Sequence, residues 1–583
     1  MAEAEVTTGS RRAGSEAKQQ AHHRYHRYAP YIYASVIYLF VALLMFPSIT
    51  AHPSTVANGV GGDVYQNLWN LWWVKYALFH SQNIFFTNLL YWPIGANLVY
   101  QTMSPIAAII SIPFQAVSTV FAFNVLFFLS YILCGLTMFL LADYLLKNKY
   151  AAFVAGFAFT FSAFHIASAF GELDLSNLEW VPLALLFFIM LINEERGRRW
   201  LYASAGLGIS LMLVSFMSTP EMLVITFDML IVVLLFYLAA KEYRRRILSA
   251  RFWLGIAIAA VVMLVTGIWG FLPIFHSLLS PSSASETSYL NAVQNNEVWS
   301  NDLLSFFLPS FYNGIFNSLS LSYFKIYAPD IAARVSYIGY TVLALAGYAV
   351  YKMRKKTALW IALAIIFGWL SLGPYLQVNG SLTRIPELFL AYHSIPLLNI
   401  VREPNRFDLI VSIATSLLAA MGTAELLKRF VKADESTAAR SHSARSSQLL
   451  VVGIILLLML VESNAFQTSP LLVSYTSTHI SVPKLYSELR NVSGNFSILQ
   501  LPALPVQTSS TPELYVGMES YYASIAGKPT VGGYVTRGNT TMQLSVYNIP
   551  LAVQSTLLAE GANMSYPSPV SQNLANETLM TLF

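Results

Sequence analysis

The sequence predicts an all-α polytopic membrane protein of about eleven transmembrane helices, with a small extracytoplasmic α/β domain at its C-terminal end. Three observations carry that prediction. Hydrophobic residues make up 56% of the 583 positions and charged residues only 11%, whereas a soluble domain carries about a quarter charged. Apolar runs long enough to cross a bilayer, about 17 to 25 residues, recur from near Tyr31 to Glu462. Basic residues gather in the short connections on alternate sides of these runs: Lys147 and Lys149; Arg196, Arg198 and Arg199; Lys241 to Arg246; Lys352 to Lys356; and Lys428 to Lys432. The net charge of +5 is therefore spread over loops, not held in one patch, which argues against a nucleic-acid partner. Cys134, the single cysteine, sits in an apolar run. It allows no intrachain disulfide and no cysteine-based metal site.

The polar tail of residues 1–30 holds Arg11, Arg12, Lys18, Arg24 and Arg27. No small-residue cleavage site follows the first apolar run, so the run from Tyr31 reads as a retained helix and not a signal peptide. Further runs begin near Phe121, Ala151, Trp180, Trp200, Glu221, Phe252, Val335, Thr357, Phe407 and Leu449, and together they define a transmembrane domain over 31–467. The positive-inside rule puts the basic loops in the cytoplasm. The chain then reads as a multi-pass protein of the cytoplasmic (plasma) membrane, N-terminus inside, with outer loops 51–103, 171–179, 276–334 and 373–406 and the C-terminal domain outside. Ser104 to Thr119 is apolar but short and carries Pro105 and Pro113. It reads as a re-entrant or interfacial segment, because a crossing here would carry the Lys147 loop outside.

Asn-X-Ser/Thr triplets at Asn379, Asn491, Asn495, Asn539, Asn563 and Asn576 all fall in the segments placed outside. From Thr468 to Phe583 the chain turns polar and richer in Pro, Ser and Thr, as a water-soluble α/β domain would. Ser481 with Pro483 predicts a short helix to about Arg490, and Phe496 to Leu501 predicts a strand. No closing strand follows the last helix-like segment, so this domain is expected to be incomplete.

Three groups are placed to carry chemistry, because polar and ionisable residues at outer helix ends are costly unless they serve something. The first is Gly61 to Trp73, where Tyr65, Trp69, Trp72, Trp73 and Tyr76 fall on one helical face beside Asp63, Gln66 and Asn67. That composition predicts an interfacial helix lying along the membrane, with Asp63 at its N-terminus as a cap or as a reactive carboxylate. The second is Glu172-Leu173-Asp174, whose carboxylates suit a shared divalent cation such as Mg or Mn, a base, or an ordinary solvated turn. The third is Val401 to Arg406. There Arg402 and Arg406 match phosphate oxygens bidentately, or snorkel to headgroups. His165, His276 and His393 read as packing residues, and Glu221, after Thr219-Pro220, as a helix N-terminal carboxylate.

These residues resemble the GT-C superfamily of polytopic membrane glycosyltransferases, in its prokaryotic integral membrane branch. The resemblance is carried by Gly62-Asp63-Val64-Tyr65-Gln66-Asn67-Leu68-Trp69 with Trp72-Trp73, by Tyr91 to Leu98, Asp302 to Ser310, Leu372 to Tyr375, Arg402 to Phe407 and Gly527 to Tyr534. It implies a hexosyltransferase-like enzyme at the outer face of the membrane, with a polyprenyl-phosphate sugar as donor and a glycan or protein as acceptor. It further implies that Asp63 is base or metal ligand, with Glu172 or Asp174 as a second acidic site. The Trp-Trp-Asp-Tyr-Gly signature of oligosaccharyltransferases is absent, since Val74 follows Trp73, which disfavours en bloc transfer to asparagine. A transporter or flippase of lipid-linked substrate is the alternative, and a non-catalytic assembly or lipid-binding protein a third. The lack of an obvious inverted repeat and the few charges within the runs speak against a transporter, while eleven apolar helices with a phosphate-binding mouth could equally move a lipid-linked substrate.

Overall fold

The computed structural model describes residues 28–99, 101–194, 197–278, 293–309, 336–432, 438–463, 477–498, 512–533 and 535. The tail before 28, Arg196, much of the loop 276–334, the end of the predicted strand Phe496 to Leu501, and Asn539, Asn563 and Asn576 lie outside the described residues.

Among the described residues, eight helical segments are long and apolar enough to cross a membrane. The first is α1 (Tyr28–Met45). After α2 (Gly62–Phe79) and the short α3 (Pro105–Ser111) comes α4 (Thr119–Leu146), where the Ser118 side chain accepts from the amide of Phe121 and fixes the start. Asn148 caps α5 (Lys149–Thr160) in the same way through the amide of Ala151, and α5 continues into α6 (Ala163–Ser168) to complete the third span. Then α7 (Leu173–Ser176) with α8 (Trp180–Asn193), α9 (Arg198–Met217), α10 (Pro220–Ala239) and α11 (Ala250–Leu278) supply four more. The eighth is Pro404–Arg429, most of it α13 (Asp408–Lys432), which follows α12 (Tyr340–Ser371).

These eight take in eight of the eleven expected runs; the other three fall in two helices. The runs from Val335 and Thr357 form one helix, α12, broken by non-helical dihedrals at Met353. Ile338 donates to the Phe306 carbonyl and Asn301 to that of Ser371, so both ends of α12 meet the same short segment. The helix is folded back on itself among the charges Lys352 to Lys356. The last run lies in α14 (Ala438–Glu462), whose apolar part is Ser446–Glu462. Segment 104–119 forms only α3 and a single 3₁₀ turn, Phe114–Ala116. At about 10 Å, α3 does not cross.

The interior of the bundle is aromatic and closely packed, with Tyr131, Phe127, Phe139, Phe157, Phe159 and Phe367 fully buried. The described basic loops after α4, α8 and α10 meet at one end of it. Asn193, at the close of α8, hydrogen-bonds the Tyr144 hydroxyl at the close of α4 and accepts from Arg246.

At the opposite end the chain builds three two-stranded sheets: β1 (Val56–Asn58) with β6 (Ser477–His479), β2 (Phe86–Thr87) with β3 (Ala96–Asn97), and β4 (Tyr375–Val378) with β5 (Ser381–Pro386). The β4–β5 turn is Asn379-Gly380, both at positive φ, the dipeptide that such a hairpin turn demands. Asn379 is thus a turn residue.

Two expectations are corrected here. The aromatic face of α2 does not lie along a membrane: Tyr65, Trp69 and Trp73 are buried inside the protein. Helix α15 (Pro512–Ala526) packs on α2, with Tyr521 and Tyr522 both against Tyr65, and Trp73 Nε1 is bound to the Ile84 carbonyl. Its Gly517 abuts Gly62 so closely that an added Cβ would stand 2.6 Å from the Gly62 carbonyl. Nor does the described part of 468–583 stand apart as a domain of its own. β6 pairs antiparallel with β1, Val56 opposite His479, and Thr530 exchanges backbone hydrogen bonds with Leu89 and Trp92. The expected helix runs over Lys484–Leu489, and the expected strand contributes a single bridge, Ile498 to Thr530.

Candidate functional site

Two loops are sewn together at the start of α2. Gly59 and Gly171, both at positive φ, meet backbone to backbone, and a Cβ on Gly59 would stand 2.2 Å from the Gly171 nitrogen. Only glycine fits such an approach. Asn58 Nδ2 donates to the Ala169 carbonyl at 2.6 Å. Asn67 Nδ2 then ties both sides, donating to the carbonyls of Asp63 at 3.0 Å and Gly171 at 3.1 Å. The consequence is that Glu172 lies beside Asp63.

Asp63 occupies the first turn of α2, whose N-cap is Gly61, so it faces the positive end of the helix without being the cap. Glu172 is the N-cap residue of α7 without a capping side-chain bond. Burial, then the negative charges of Asp63, Asp174 and Glu403, push its carboxyl well above the ordinary range, with Arg406 opposing. Asp174 is fully buried, one carboxylate oxygen, Oδ2, without a hydrogen-bond partner. Its backbone is fixed by Ser218 Oγ, which donates to the Asp174 carbonyl at 2.8 Å.

On the other side stands Val401 to Arg406, next to the start of α10. Pro220 opens that helix and Glu221 sits in its first turn with no exposed surface. Arg406 forms ion pairs with Glu221 Oε2 at 2.8 Å and Glu403 Oε1 at 2.8 Å, and its Nε donates to Glu403 Oε2 at 3.0 Å. Arg402 lies 3.6 Å from Glu221 Oε1 and 3.2 Å from Glu403 Oε1, with its side chain 24% exposed. Five carboxylates, Asp63, Glu172, Asp174, Glu221 and Glu403, therefore share the neighbourhood of two guanidinium groups. Such an excess of negative charge is relieved by keeping a carboxyl protonated, and Glu172 is raised accordingly.

The predicted residues are thus brought to one end of the bundle, in altered roles. Gln66 and Asn67 are buried scaffold: the Gln66 carbonyl oxygen accepts from Thr102 at 3.3 Å. Arg406 is engaged by two carboxylates, leaving Arg402 as the more accessible guanidinium. Glu221 and Glu403 were not singled out for the site. Glu403 offered a signal in its position between two arginines, and Glu221 only in being a carboxylate at the head of an apolar run. His165 is a packing residue, its two ring nitrogens 2.7 Å from the Thr160 carbonyl and 3.0 Å from that of Ser176. Among the described residues no three His, Cys, Asp or Glu side chains are grouped to hold a metal.

The Asn67 tie has a measurable consequence. Asn67→Ala should cost about 1–3 kcal/mol by stranding buried carbonyls, seen as a lower melting temperature.

No protein-family model matches the chain, and no curated protein matches it. Among solved structures it is similar to the archaeal oligosaccharyltransferase AglB from Archaeoglobus fulgidus, in complex with an inhibitory peptide and a dolichol-phosphate: 13% identity, TM-score 0.44, over 87% of this chain and 65% of that one. It is also similar to ArnT from Cupriavidus metallidurans in the apo state, at 13% identity and TM-score 0.48, over 90% of this chain and 91% of that one. With ArnT bound to undecaprenyl phosphate the identity is 12% and the TM-score 0.44, over 87% and 85%. The chain spans about two thirds of the AglB length.

Proposed function

We propose that this protein is a GT-C-type membrane glycosyltransferase that moves a sugar from a polyprenyl-phosphate donor to an acceptor hydroxyl at the outer face of the cytoplasmic membrane. One observation carries the reading: Asp63, Glu172 and the Arg402–Arg406 pair converge on the end of the bundle opposite the basic loops. Under the positive-inside rule that end is the outer one. The motif resemblance running from Gly62 to Tyr534 supports it independently. Asp228, two turns inside α10, is bound to the Tyr392 hydroxyl at 2.7 Å, which gives a transporter's midplane ion site no support.

The chemistry asked of the site is modest, because a sugar phosphate already carries a good leaving group. The acceptor oxygen bonds to the anomeric carbon as the bond from that carbon to the phosphate oxygen breaks. Asp63 takes the hydroxyl proton as general base. Arg402 faces the departing phosphate charge. Glu172, kept neutral by its surroundings, leaves the negative charge on Asp63, a division of labour between neighbouring carboxyls that environment alone can set. No step is assigned to a metal ion. The test is transfer of label from polyprenyl-phosphate sugars in isolated membranes. A new labelled glycolipid, polymer or protein made by the wild type supports the reading. Binding of the lipid without transfer for any donor turns it toward a flippase.

Glu172 gives this reading a pH signature. Its carboxyl is raised in the folded protein, so the stability tied to its neutral form is complete at acid pH and is lost as pH rises through the raised value. Transfer rate and melting temperature should therefore fall together on the alkaline side. Glu172→Gln, which cannot ionise, should flatten that limb in both measurements.

A further inference from the structure

From Tyr76 to Ala142 the chain contains no Asp, Glu, Lys or Arg. Part of that stretch is α4, but the rest, from the end of α2 through α3, is loop, and a loop in water would carry about a quarter charged residues. Between residues 78 and 94 the exposed large side chains are Leu78, Phe79, Phe86, Trp92 and Ile94, with Phe79 71% exposed. The Phe86 ring lies against Gly95, where an added Cβ would stand 2.8 Å from its Cζ, so Phe86 and Ile94 are neighbours.

The height of this surface is set by a contact. Phe85 stacks on Trp269 of α11 at 6.3 Å between ring centres. Beyond Trp269 the helix still exposes Leu272 and Phe275, within the candidate span Ala250–His276. The lipid-facing side of α11 thus continues past Phe85 by about 9 Å.

Much of the segment's backbone is paired with protein groups, which lowers the cost of placing it at a bilayer surface. Leu98 donates to Phe85, Ile94 and Gly95 to Tyr91, and Thr530 to Leu89, while Trp92 donates to Thr530. Trp73 Nε1 donates to the Ile84 carbonyl at 2.9 Å.

From these observations we infer that residues 78–94 form an interfacial membrane anchor, with Phe79, Phe86, Trp92 and Ile94 seated among lipid headgroups and upper acyl chains. The occupant is the bilayer, since the patch is continuous with the lipid-facing side of α11 and has the uncharged, aromatic composition of the interface. The inference rests on the membrane reading alone and not on the proposed transferase activity.

Cys134 is fully buried, so the wild type serves as the unlabelled control for single-cysteine variants. Phe79→Cys, Phe86→Cys and Ile94→Cys would each carry an environment-sensitive fluorophore, in nanodiscs of phosphatidylcholine with and without a shallow doxyl-labelled lipid. Leu264→Cys serves as the bilayer reference and Leu485→Cys as the aqueous one. Blue-shifted emission and quenching by the doxyl lipid at the three positions, approaching the Leu264 values, is the expected result. Photolabelling of unmodified protein by a headgroup-proximal lipid probe should place label within 78–94. Water-like emission resembling the Leu485 position overturns the inference. A blue shift that the doxyl lipid does not quench, as a protein covering the face would give, overturns it equally.

Discussion

Asp63→Asn should lower sugar transfer by about 10²–10⁴-fold, the usual contribution of a positioned general base, while the variant inserts and accumulates as the wild type does. The two side chains have nearly the same shape, so the packing around Gly61 and Gly62 is unchanged. Loss of a carboxylate from the first turn of α2 costs only about 0.3–1 kcal/mol of helix-terminus interaction. Removing that charge also relieves the crowding that raises Glu172, so the variant should be no less stable at alkaline pH. Transfer measured in membranes at matched protein level, with melting temperature alongside, separates the roles. Wild-type rates in Asp63→Asn would remove this residue from the mechanism; a lost rate with a lowered melting temperature would make it structural.

Local chemistry was legible in the sequence, and distant contacts were not. The spans, the basic loops between them and the shortness of the segment around Pro105 all follow from composition and length. The helix at Gly62 was visible too, in the spacing of its aromatic residues. Periodicity names a face, however, and not what covers it. The aromatic face of α2 reads from sequence as a membrane-surface face because its cover comes from elsewhere in the chain, Tyr65 being packed by α15 from the far end and Trp73 bound to the Ile84 carbonyl. The interfacial role falls instead to the stretch just after it. Its signal, a long absence of charge beginning at Tyr76, lay in the sequence unremarked. Asn67 looked like a polar group offered to a ligand, yet its amide closes a gap between two backbones. That contact depends on Gly171, which no local pattern links to it.

The second large effect concerns Arg406, where a phosphate clamp and a structural ion pair make opposite predictions. Its guanidinium is buried and held by Glu221 and Glu403, and Glu221 has no exposed surface. Breaking one side of a buried pair strands a charge and typically costs about 3–5 kcal/mol. Glu221→Gln should therefore lower the melting temperature strongly, although Glu221 itself is assigned no part in the reaction and reaches it only through Arg402, 3.6 Å away. Glu403 remains in contact with Arg406 and keeps the loss short of complete unfolding. Pairing Glu221→Gln with Arg406→Gln should cost less than the sum of the two single losses, because the Glu221 charge is no longer stranded and Glu403 keeps Arg402 at 3.2 Å; a double-mutant cycle reads that coupling directly. Arg406→Lys should fail to substitute, since one ammonium cannot reproduce the two-sided contact. Were Arg406 instead a free clamp for phosphate, its variants would lose donor affinity at unchanged melting temperature, and the cycle with Glu221 would show no coupling. The geometry favours the first outcome. On this view Arg402, the more exposed of the two, is left to meet the lipid phosphate, and Arg406 serves by holding the ends of α10 and α13 together around it.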